Sequence, residues 1–361
     1  MRVAFDTSVT ETDPGGISRY VTELLAAFAR QPNGIELVPV SMSEEWPWTR
    51  NLERHLKVLA HDQRWVGKGQ VSACQRVEAE ILHGSAFKVA AVADPAMSMT
   101  IHDDTPWNDP PTASLYNRVN LRRSLRRAAP LVRGALVSTD TTANAILRHL
   151  PELNDRIHVT PFGINHEAFR PVPEHLVESV RRAHGILGPY ILMVGPYSSP
   201  RKNFPAMVQA ISRIQDPPQG LTIVVTGRPA KATSMPVPVI HTGFLGDEEL
   251  AVLYSGAEFL FYASLSEGFG FPVLEAMACG CAVLTSSGTV LEELAGESAL
   301  LAAPGDLEAL TAACETLLRD RDQRRLMAAE GLRRAQLFDW DQTAAATAQA
   351  WREMAQIEAG G

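Results

Sequence analysis

The feature that most constrains the fold is an alternation of short apolar runs with longer amphipathic stretches. The runs form two sets of six, separated by the segment HEAFRPVPEHL with its two prolines. They read RVAFD, IELVPV, EILHG, MSMTIHD, GALVST and IHVTPFG, then YILMVG, LTIVVTG, VPVIHTG, EFLFYAS, CAVLTS and SALLAA. Apolar strands alternating with helices are typical of parallel α/β sheets. The sequence therefore predicts an α/β protein of two doubly wound, Rossmann-like domains facing each other across a cleft.

Length supports this division, since 361 residues exceed the roughly 100–200 residues of a single domain. We predict an N-terminal domain over residues 1–167 and a C-terminal domain over residues 168–340. A final helix over residues 341–361 is expected to pack back on the N-terminal domain.

Composition excludes several classes of protein. A formal net charge of −8 argues against broad nucleic-acid binding. The four cysteines are too few for a disulfide scaffold and lack partners at zinc spacing. No apolar run reaches the ~18 residues of a membrane span, and the first residues resemble a strand rather than a signal peptide. We expect a cytoplasmic protein with reduced thiols.

The stretch SLSEGFGFPVLEAMACGCAVLTSS, residues 264–287, places two glutamates around a tight glycine turn. Pro272 suits the first turn of a helix that Gly280 ends. Glu267 precedes that helix and Glu275 lies inside it, so both can face one crevice. A carboxylate accepts two hydroxyl groups at once, which suits a sugar diol. The alternative is one helix-capping and one surface glutamate.

This stretch, with its Glu-x7-Glu spacing, resembles the donor-site motif of family 4 glycosyltransferases, which are retaining enzymes of the GT-B architecture. The resemblance runs nearly end to end. Its other parts, in order, are GGISRYVTELL, TIHDDTPW, LVSTDTTANAIL, VTPFGINHEAFRP, VGPYSSPRKNFPAMVQAI and HTGFLGDEELAVLYSGAEFLFYAS.

The resemblance implies roles for the residues at matching positions. Glu275 would bind the nucleotide ribose, and Glu267 would hold hydroxyl groups of the donor sugar. Arg201 and Lys202 match the basic pair that neutralises the donor diphosphate, a charge that grows as the nucleotide departs. The donor site would also include the residues Phe269, Gly270, Phe271, Gly195, Gly227, Arg228 and Phe244.

Two further matches lie in the N-terminal half. Gly15 and Gly16 correspond to the loop that closes over the donor phosphate and acceptor. His102 corresponds to the histidine that the family places beside the donor sugar. The competing interpretations are solvated surface charges for Arg201 and Lys202 and a structural role for His102.

No metal site and no cofactor are expected, apart from the nucleotide diphosphate sugar as co-substrate. A metal-dependent transferase would need an Asp-x-Asp after a buried strand. The triplet Asp320-Arg321-Asp322 instead follows a helical run, which predicts a surface turn.

Six arginines and no acid lie between Arg118 and Arg133. A solvated helix face is the simpler interpretation. The alternative is attraction to an anionic acceptor, such as a lipid phosphate, with a peripheral contact at the inner membrane face.

The predicted function is transfer of a sugar to an acceptor hydroxyl with retention at the anomeric carbon. The PRKN and TIHD segments resemble the mannosyltransferase-like branch, which acts in polysaccharide biosynthesis. GDP-mannose is therefore the first donor and a UDP-sugar the second. The acceptor stays open among a glycan, a lipid-linked compound and a small molecule. A nucleotide-sugar epimerase and a non-catalytic sugar-nucleotide-binding protein are the alternatives.

Overall fold

The computed structural model describes residues 1–12, 15–53, 56–57, 60–107, 115–196, 199–227 and 237–356. These residues form two compact units, each with its own hydrophobic core. The N-terminal unit runs from Met1 to Gly163 and also includes the chain from Trp340 onward. The C-terminal unit runs from Ile164 to Asp339.

Six parallel strands form the sheet of the N-terminal unit, in the order β2-β1-β3-β4-β5-β6. They are β1 (Arg2–Asp6), β2 (Glu36–Val40), β3 (Ile81–Gly84), β4 (Ala96–Thr100), β5 (Gly134–Val137) and β6 (Ile157–Val159). Each of the first six predicted runs overlaps one of these strands. Val3, Ala4 and Phe5 are fully buried. Because parallel strands are covered on both faces, their sequences are continuously apolar rather than alternating.

Helices and short helical turns connect these strands. Before residue 164, the α-helices that lie wholly within the described residues include α1 (Gly16–Arg30), α2 (Met42–Glu45), α3 (Gln70–Arg76), α4 (Leu115–Ala128) and α5 (Asp140–Leu147). A π-helical segment, His61–Gly69, leads directly into α3. Short 3-10 helices span Ser8–Glu11, Pro47–Asn51 and Pro151–Leu153.

The C-terminal unit also has six parallel strands, in the order β12-β11-β10-β7-β8-β9. They are β7 (Tyr190–Val194), β8 (Thr222–Thr226), β9 (Val239–Gly243), β10 (Phe259–Tyr262), β11 (Val283–Ser286) and β12 (Leu300–Ala302). The remaining six predicted runs each contain one of them. The prediction of two doubly wound parallel sheets is confirmed.

Seven α-helices, among the residues described, belong to the C-terminal unit. They are α6 (Glu174–Ala183), α7 (Phe204–Ser212), α8 (Asp247–Gly256), α9 (Phe271–Ala278), α10 (Val290–Ala295), α11 (Leu307–Arg319) and α12 (Arg321–Ala335). The 3-10 helix Pro200–Lys202 precedes α7. Side chains cap the amino ends of several of these helices. At the start of α11, Asp306 accepts a hydrogen bond from the backbone N–H of Ala309.

The last helix, α13 (Trp340–Gln356), is part of the N-terminal unit. Its Trp351 is fully buried and stacks on Phe28 of α1 at 5.6 Å between ring centroids. At the exposed end of the same helix pair, Arg30 Nη2 lies 2.7 Å from Asp341 Oδ1. Across the described ranges, no helix is both long and apolar enough to span a bilayer.

Strand order locates a crevice in each sheet. In the C-terminal unit the order reverses between the neighbours β7 and β10, and in the N-terminal unit between β1 and β3. Ligands of doubly wound sheets bind beyond the carboxyl ends of the strands at such a reversal. The residues that follow β7 and β10 are therefore the first place to look for a site.

Candidate functional site

Two loops bring opposite charges together at the reversal point of the C-terminal sheet. Lys202, from the 3-10 helix after β7, donates a hydrogen bond of 2.7 Å from Nζ to Oε1 of Glu267, which follows β10. Arg201 Nη2 lies 3.6 Å from the other carboxylate oxygen. The Glu267 side chain is only 6% exposed and that of Lys202 11%. These three predicted residues form one charged cluster rather than separate surface charges.

A tyrosine that the sequence analysis missed completes this cluster. Tyr262, the last residue of β10, donates a hydrogen bond of 2.9 Å from its hydroxyl to Oε1 of Glu267. Lys202 Nζ in turn donates to the Tyr262 hydroxyl, and the same nitrogen lies 4.6 Å from the centre of the tyrosine ring. The sequence contains one indication of this residue. The run EFLFYAS carries a single tyrosine hydroxyl near its end, at the end of the strand that faces the crevice.

The electrostatics of the cluster favour an ionised Glu267. Burial alone would raise the pKa of this carboxyl group, but the charges of Lys202 and Arg201 and the hydrogen bonds it accepts lower the pKa to about 2. Burial lowers the pKa of Lys202, against the opposing attraction of Glu267. With two cations and one carboxylate, the cluster has one excess positive charge at neutral pH. That excess suits a diphosphate group.

Two predicted glycines form the wall behind Lys202. Gly195 has φ +132°, and a side chain there would bring Cβ within 3.2 Å of Lys202 Cε. Gly227 has φ +109°, and its Cβ would lie 2.7 Å from the carbonyl oxygen of Gly195. Glycine is required at both positions because L-residues avoid this φ region and because the backbones approach so closely. The structure thus joins Gly227, Gly195, Lys202 and Glu267 in one continuous set of contacts.

Asn203 fixes the basic loop and was also missed. It has the left-handed φ of 54° that ends the 3-10 helix. Its Nδ2 donates to the carbonyl oxygens of Ala263, at 3.0 Å, and Pro304, at 2.7 Å. Asparagine tolerates this backbone conformation better than most residues. The side chain therefore ties the segment carrying Arg201 and Lys202 to the end of β10.

Glu275 lies on α9 and is buried, with 3% of its surface exposed. Its Oε2 accepts a hydrogen bond of 3.0 Å from the hydroxyl of Tyr254 on α8. Burial, together with the negative charge of Glu275, raises the pKa of Tyr254 well above its ordinary value. A carboxylate can accept several hydrogen bonds, so Tyr254 orients the group without using its full capacity.

The turn between the two glutamates is tightly constrained. Gly270 has φ +118°, and a Cβ there would lie 2.4 Å from Leu291 Cδ2. Phe269 is 4% exposed and packs edge-on against Phe271 and Phe338, with ring centroids 5.1 and 6.1 Å apart. The two aromatic side chains thus anchor the turn in the unit's interior, which leaves the backbone as the part that can reach a ligand.

The remaining predicted donor residues of the C-terminal unit are placed less tightly. Phe244 follows β9 and is 90% exposed, apart from the charged cluster. Arg228 lies outside the described residues.

The triplet around Arg321 behaves as a helix start, because Asp320 accepts a hydrogen bond of 2.8 Å from the backbone N–H of Gln323. Within the described ranges, no group of three or more His, Cys, Asp or Glu residues could hold a metal ion.

His102 is in the N-terminal unit, directly after β4, and is 5% exposed. Its Nε2 donates a hydrogen bond of 2.8 Å to the carbonyl oxygen of Ser85, which identifies Nε2 as the protonated nitrogen. The rings of Tyr20, Phe87 and Phe162 surround it at 5.3 to 5.8 Å between centroids. This packing gives His102 a structural role, whatever part it takes in catalysis.

Gly15 and Gly16 lie at the exposed amino end of α1, where Gly15 is the N-cap and Gly16 the first helical residue. The helix is 15 residues long, so its N-terminus carries the partial positive charge that favours a phosphate. The glycines therefore stand where an anion can approach the backbone.

The chain is similar in sequence and fold to several known proteins. Residues 188–320, which include the whole charged cluster, match the model of the family Glycosyl transferases group 1. The O-antigen chain mannosyltransferase B of Escherichia coli is 25% identical, over 98% of this chain and 100% of its own length.

One further relative and one solved structure are also similar to this chain. The MMP alpha-(1->4)-mannosyltransferase of Mycolicibacterium hassiacum is 28% identical, over 67% of this chain and 58% of its own length. The crystal structure of Anabaena Alr3699/HepE in complex with UDP and glucose superposes with a TM-score of 0.74 at 17% identity, covering 98% of this chain and 99% of the other. Residues 188–320 thus match the glycosyl transferases of group 1, the chain has the GT-B fold, and mannosyltransferases are among its relatives.

Proposed function

We propose that this glycosyltransferase transfers mannose from GDP-mannose to an acceptor hydroxyl, with retention at the anomeric carbon. The observation that carries the proposal is the cluster of Arg201, Lys202 and Glu267 at the reversal point of the C-terminal sheet. The choice of mannose rests on the relatives named as mannosyltransferases. A UDP-sugar is the second candidate donor, since the similar HepE structure contains UDP and glucose.

In this proposal each group acts on a defined part of the donor. The bond between the anomeric carbon and the diphosphate oxygen breaks, and its electron pair goes to the diphosphate. Arg201 and Lys202 stabilise that growing charge, by several kcal/mol if they are preorganised. The acceptor oxygen bonds to the anomeric carbon on the same face, and its proton passes to the departing diphosphate. Glu267 accepts hydrogen bonds from sugar hydroxyls, and Glu275 from the ribose.

Donor identity is tested by calorimetry with GDP, UDP, ADP and TDP. We expect GDP to bind tightest and Glu275→Gln to raise its dissociation constant at least tenfold, on the scale of 1.5–3 kcal/mol for hydrogen bonds to charged groups. The glutamine carbonyl can still accept from Tyr254, so the variant isolates the charge. Arg213→Met, at the exposed far end of α7, is the matched control and should bind GDP normally. If UDP binds tightest instead, the donor is a UDP-sugar rather than GDP-mannose.

Retention and metal independence have separate tests. The stereochemistry is proposed from the resemblance of the Glu-x7-Glu motif, and the anomeric proton of the product in NMR decides it. Metal independence is proposed from the chemistry of the basic pair, which neutralises the diphosphate without a cation. Excess EDTA should then leave transfer intact, and activity that disappears and returns with manganese or magnesium would contradict the proposal.

The cellular location is proposed to be cytoplasmic, with or without a peripheral contact to the inner membrane face. Membrane fractionation at low and high salt distinguishes these two states, because electrostatic attachment is released by salt.

A further inference from the structure

A chain of buried hydrogen bonds runs through the N-terminal unit to the strand that precedes His102. His83 on β3 is its centre, because its Nε2 lies 2.9 Å from Thr100 Oγ1 and its Nδ1 lies 2.8 Å from Ser98 Oγ, both on β4. Trp351 of α13 donates from Nε1 to the same Nδ1 at 3.3 Å. All four of these side chains are fully buried. The chain of bonds therefore joins the last helix to the end of β4.

The directions of these bonds follow from the donors. An indole N–H can only donate, so Nδ1 of His83 accepts, and the ring proton lies on Nε2. Burial lowers the pKa of His83 to about 3, so the ring is neutral and carries that single proton. Nε2 therefore donates to Thr100 Oγ1. The end of β4 is thereby tied to β3 two residues before His102.

Tyr20 of α1 binds the same threonine. Its hydroxyl lies 2.9 Å from Thr100 Oγ1, and burial raises the pKa of this phenol, so the group stays protonated. Its ring meets the ring of His102 edge-on at 5.3 Å between centroids, and the ring of Phe162 at 4.5 Å. One fully buried side chain thus contacts both β4 and the histidine that follows it.

Tyr20 also connects these groups to the glycines at the start of α1. It lies four residues after Gly16, so the two residues share one face of the helix. A slide of α1 that moved Gly15 and Gly16 would pull the tyrosine hydroxyl away from Thr100. This one side chain therefore sets the distance between the amino end of α1 and His102.

We propose that Tyr20 is a positioning residue for glycosyl transfer: through Thr100 it fixes His102 relative to the glycines at the start of α1. The action of these groups on the donor is part of the proposed function, and the inference rests on it. Because Tyr20 is fully buried, its hydroxyl acts only through its neighbours. A displacement of about 1 Å at a reacting group can lower a rate about a hundredfold, so such positioning matters to kcat.

The test compares kcat, the donor KM and GDP affinity in variants that lose the bond between Tyr20 and Thr100. Tyr20→Phe keeps the ring against His102, and we expect kcat to fall at least tenfold while the donor KM and the GDP dissociation constant change less than threefold. Thr100→Val should give the same split. Thr100→Ser keeps the hydroxyl and should stay within twofold of the parent kcat. The double variant Tyr20→Phe, Thr100→Val should be no more than twofold slower than the slower single variant, because both changes remove the same bond.

Ser98→Ala is the matched control. It removes a buried hydrogen bond of 2.8 Å from the same His83, at the nitrogen to which Trp351 still donates. Denaturant unfolding followed by tryptophan fluorescence establishes that this variant and Tyr20→Phe are folded under the assay conditions. Each loses one buried hydrogen bond, but only Tyr20→Phe should lose rate, and kcat of Ser98→Ala should stay within twofold of the parent value.

Near-parental kcat in folded Tyr20→Phe would overturn the inference. An equal loss of kcat in Ser98→Ala, multiplied losses in the double variant, or a GDP affinity lowered as much as kcat would also overturn it. If Tyr20→Phe does not fold, Thr100→Val and Thr100→Ser decide, and equal rates in these two would contradict the role of the bond.

Rates are measured with the donor that the parent protein turns over. Absence of transfer from GDP-mannose therefore counts against the proposed function, whereas equal rates in the parent protein and Tyr20→Phe count against this inference.

Discussion

The carboxyl edges of the two sheets carry their polar groups in opposite electrostatic states. In the C-terminal unit, Glu267 meets Lys202 and Arg201, so ionised groups of both signs are concentrated and paired. In the N-terminal unit, His83 and His102 are buried among aromatic rings and hydrogen-bond partners. Burial, with a smaller contribution from the charge of His102, lowers the pKa of His83 to about 3, which makes it neutral at physiological pH.

Asp6 shows that the contrast extends to carboxylates. It ends β1 at the strand reversal of the N-terminal sheet and is 4% exposed. Its Oδ2 accepts hydrogen bonds from Trp65 Nε1 at 3.0 Å and Gln70 Nε2 at 2.7 Å, both uncharged donors. One architecture thus supplies paired ions at one sheet edge, and at the other a set of packed hydrogen bonds to uncharged donors, which we call the neutral edge after its uncharged histidine, His83. The same mutation type should therefore have different consequences in the two units.

The largest effect is expected from breaking the ionic edge with Lys202→Met. This variant leaves Glu267 buried with Arg201 as its remaining cation, and removing one partner of a buried pair costs about 3 kcal/mol of stability. It also removes a diphosphate contact, so kcat should fall at least a hundredfold. Denaturant unfolding followed by far-UV circular dichroism measures the first effect and a transfer assay the second.

The double variant Lys202→Met, Glu267→Gln provides the control. With both charges of the pair gone, neither is left buried without the other, and about half of the lost stability should return while activity stays low. A double variant less stable than Lys202→Met would show that the pair is not the source of the cost.

His102→Ala tests the neutral edge and should have the next largest effect. It deletes a buried ring and leaves the carbonyl of Ser85 without its donor, at a cost of about 2–3 kcal/mol. All six tryptophans belong to the N-terminal unit, so their fluorescence follows the unfolding of that unit alone. GDP affinity, a property of the other unit, should stay within twofold. If His102 also acts on the sugar, kcat falls in the folded protein, and near-parental kcat would remove it from the catalytic residues.

Part of the fold and of the candidate site could be predicted from the sequence. The twelve strands follow from apolar runs, because the inner strands of each sheet are buried on both faces and so lack polar alternation. Gly195 and Gly270 could be predicted because a backbone with positive φ favours glycine, and a glycine is visible in the sequence. These are local constraints, and local constraints are visible in a chain read by itself.

Pairings between distant residues were not visible in the same way. Tyr262, Tyr254 and Asn203 act through partners that folding brings near, and nothing in a single tyrosine or asparagine reveals its partner. The 90% exposure of Phe244 was equally hidden in the sequence.

Tyr262→Phe is a smaller change at the ionic edge than Lys202→Met, because it removes one hydroxyl group and no charge. The ring stays in place, and only the hydroxyl that donates to Glu267 and accepts from Lys202 is lost. We expect about 1 kcal/mol less stability, the usual contribution of one hydrogen bond. The transfer rate should fall more than GDP affinity, because the hydroxyl orients the carboxylate proposed to hold the sugar. Tyr190→Phe is the matched control, since its hydroxyl donates to the Leu253 carbonyl instead. An equal loss of kcat in both variants would contradict the positioning role.

The smallest effect is a difference in acid sensitivity between the two edges. His83 has a folded pKa of about 3, below its ordinary 6.5, so between these values the unfolded chain binds a proton that the folded chain does not. Stability of the N-terminal unit must then fall as pH decreases through 6.5, by about 1 kcal/mol between pH 7 and 5.5. Glu267 has the same sense in a more acidic range, because its pKa of about 2 lies below the ordinary 4.5, and its contribution is complete above pH 4.5 and lost toward pH 2. Tryptophan-detected unfolding should therefore weaken over pH 7–5.5 in the parent protein, and His83→Gln should flatten that slope while Glu267→Gln leaves it unchanged. Identical slopes in the parent and His83→Gln would show that His83 does not carry the neutral state of this edge.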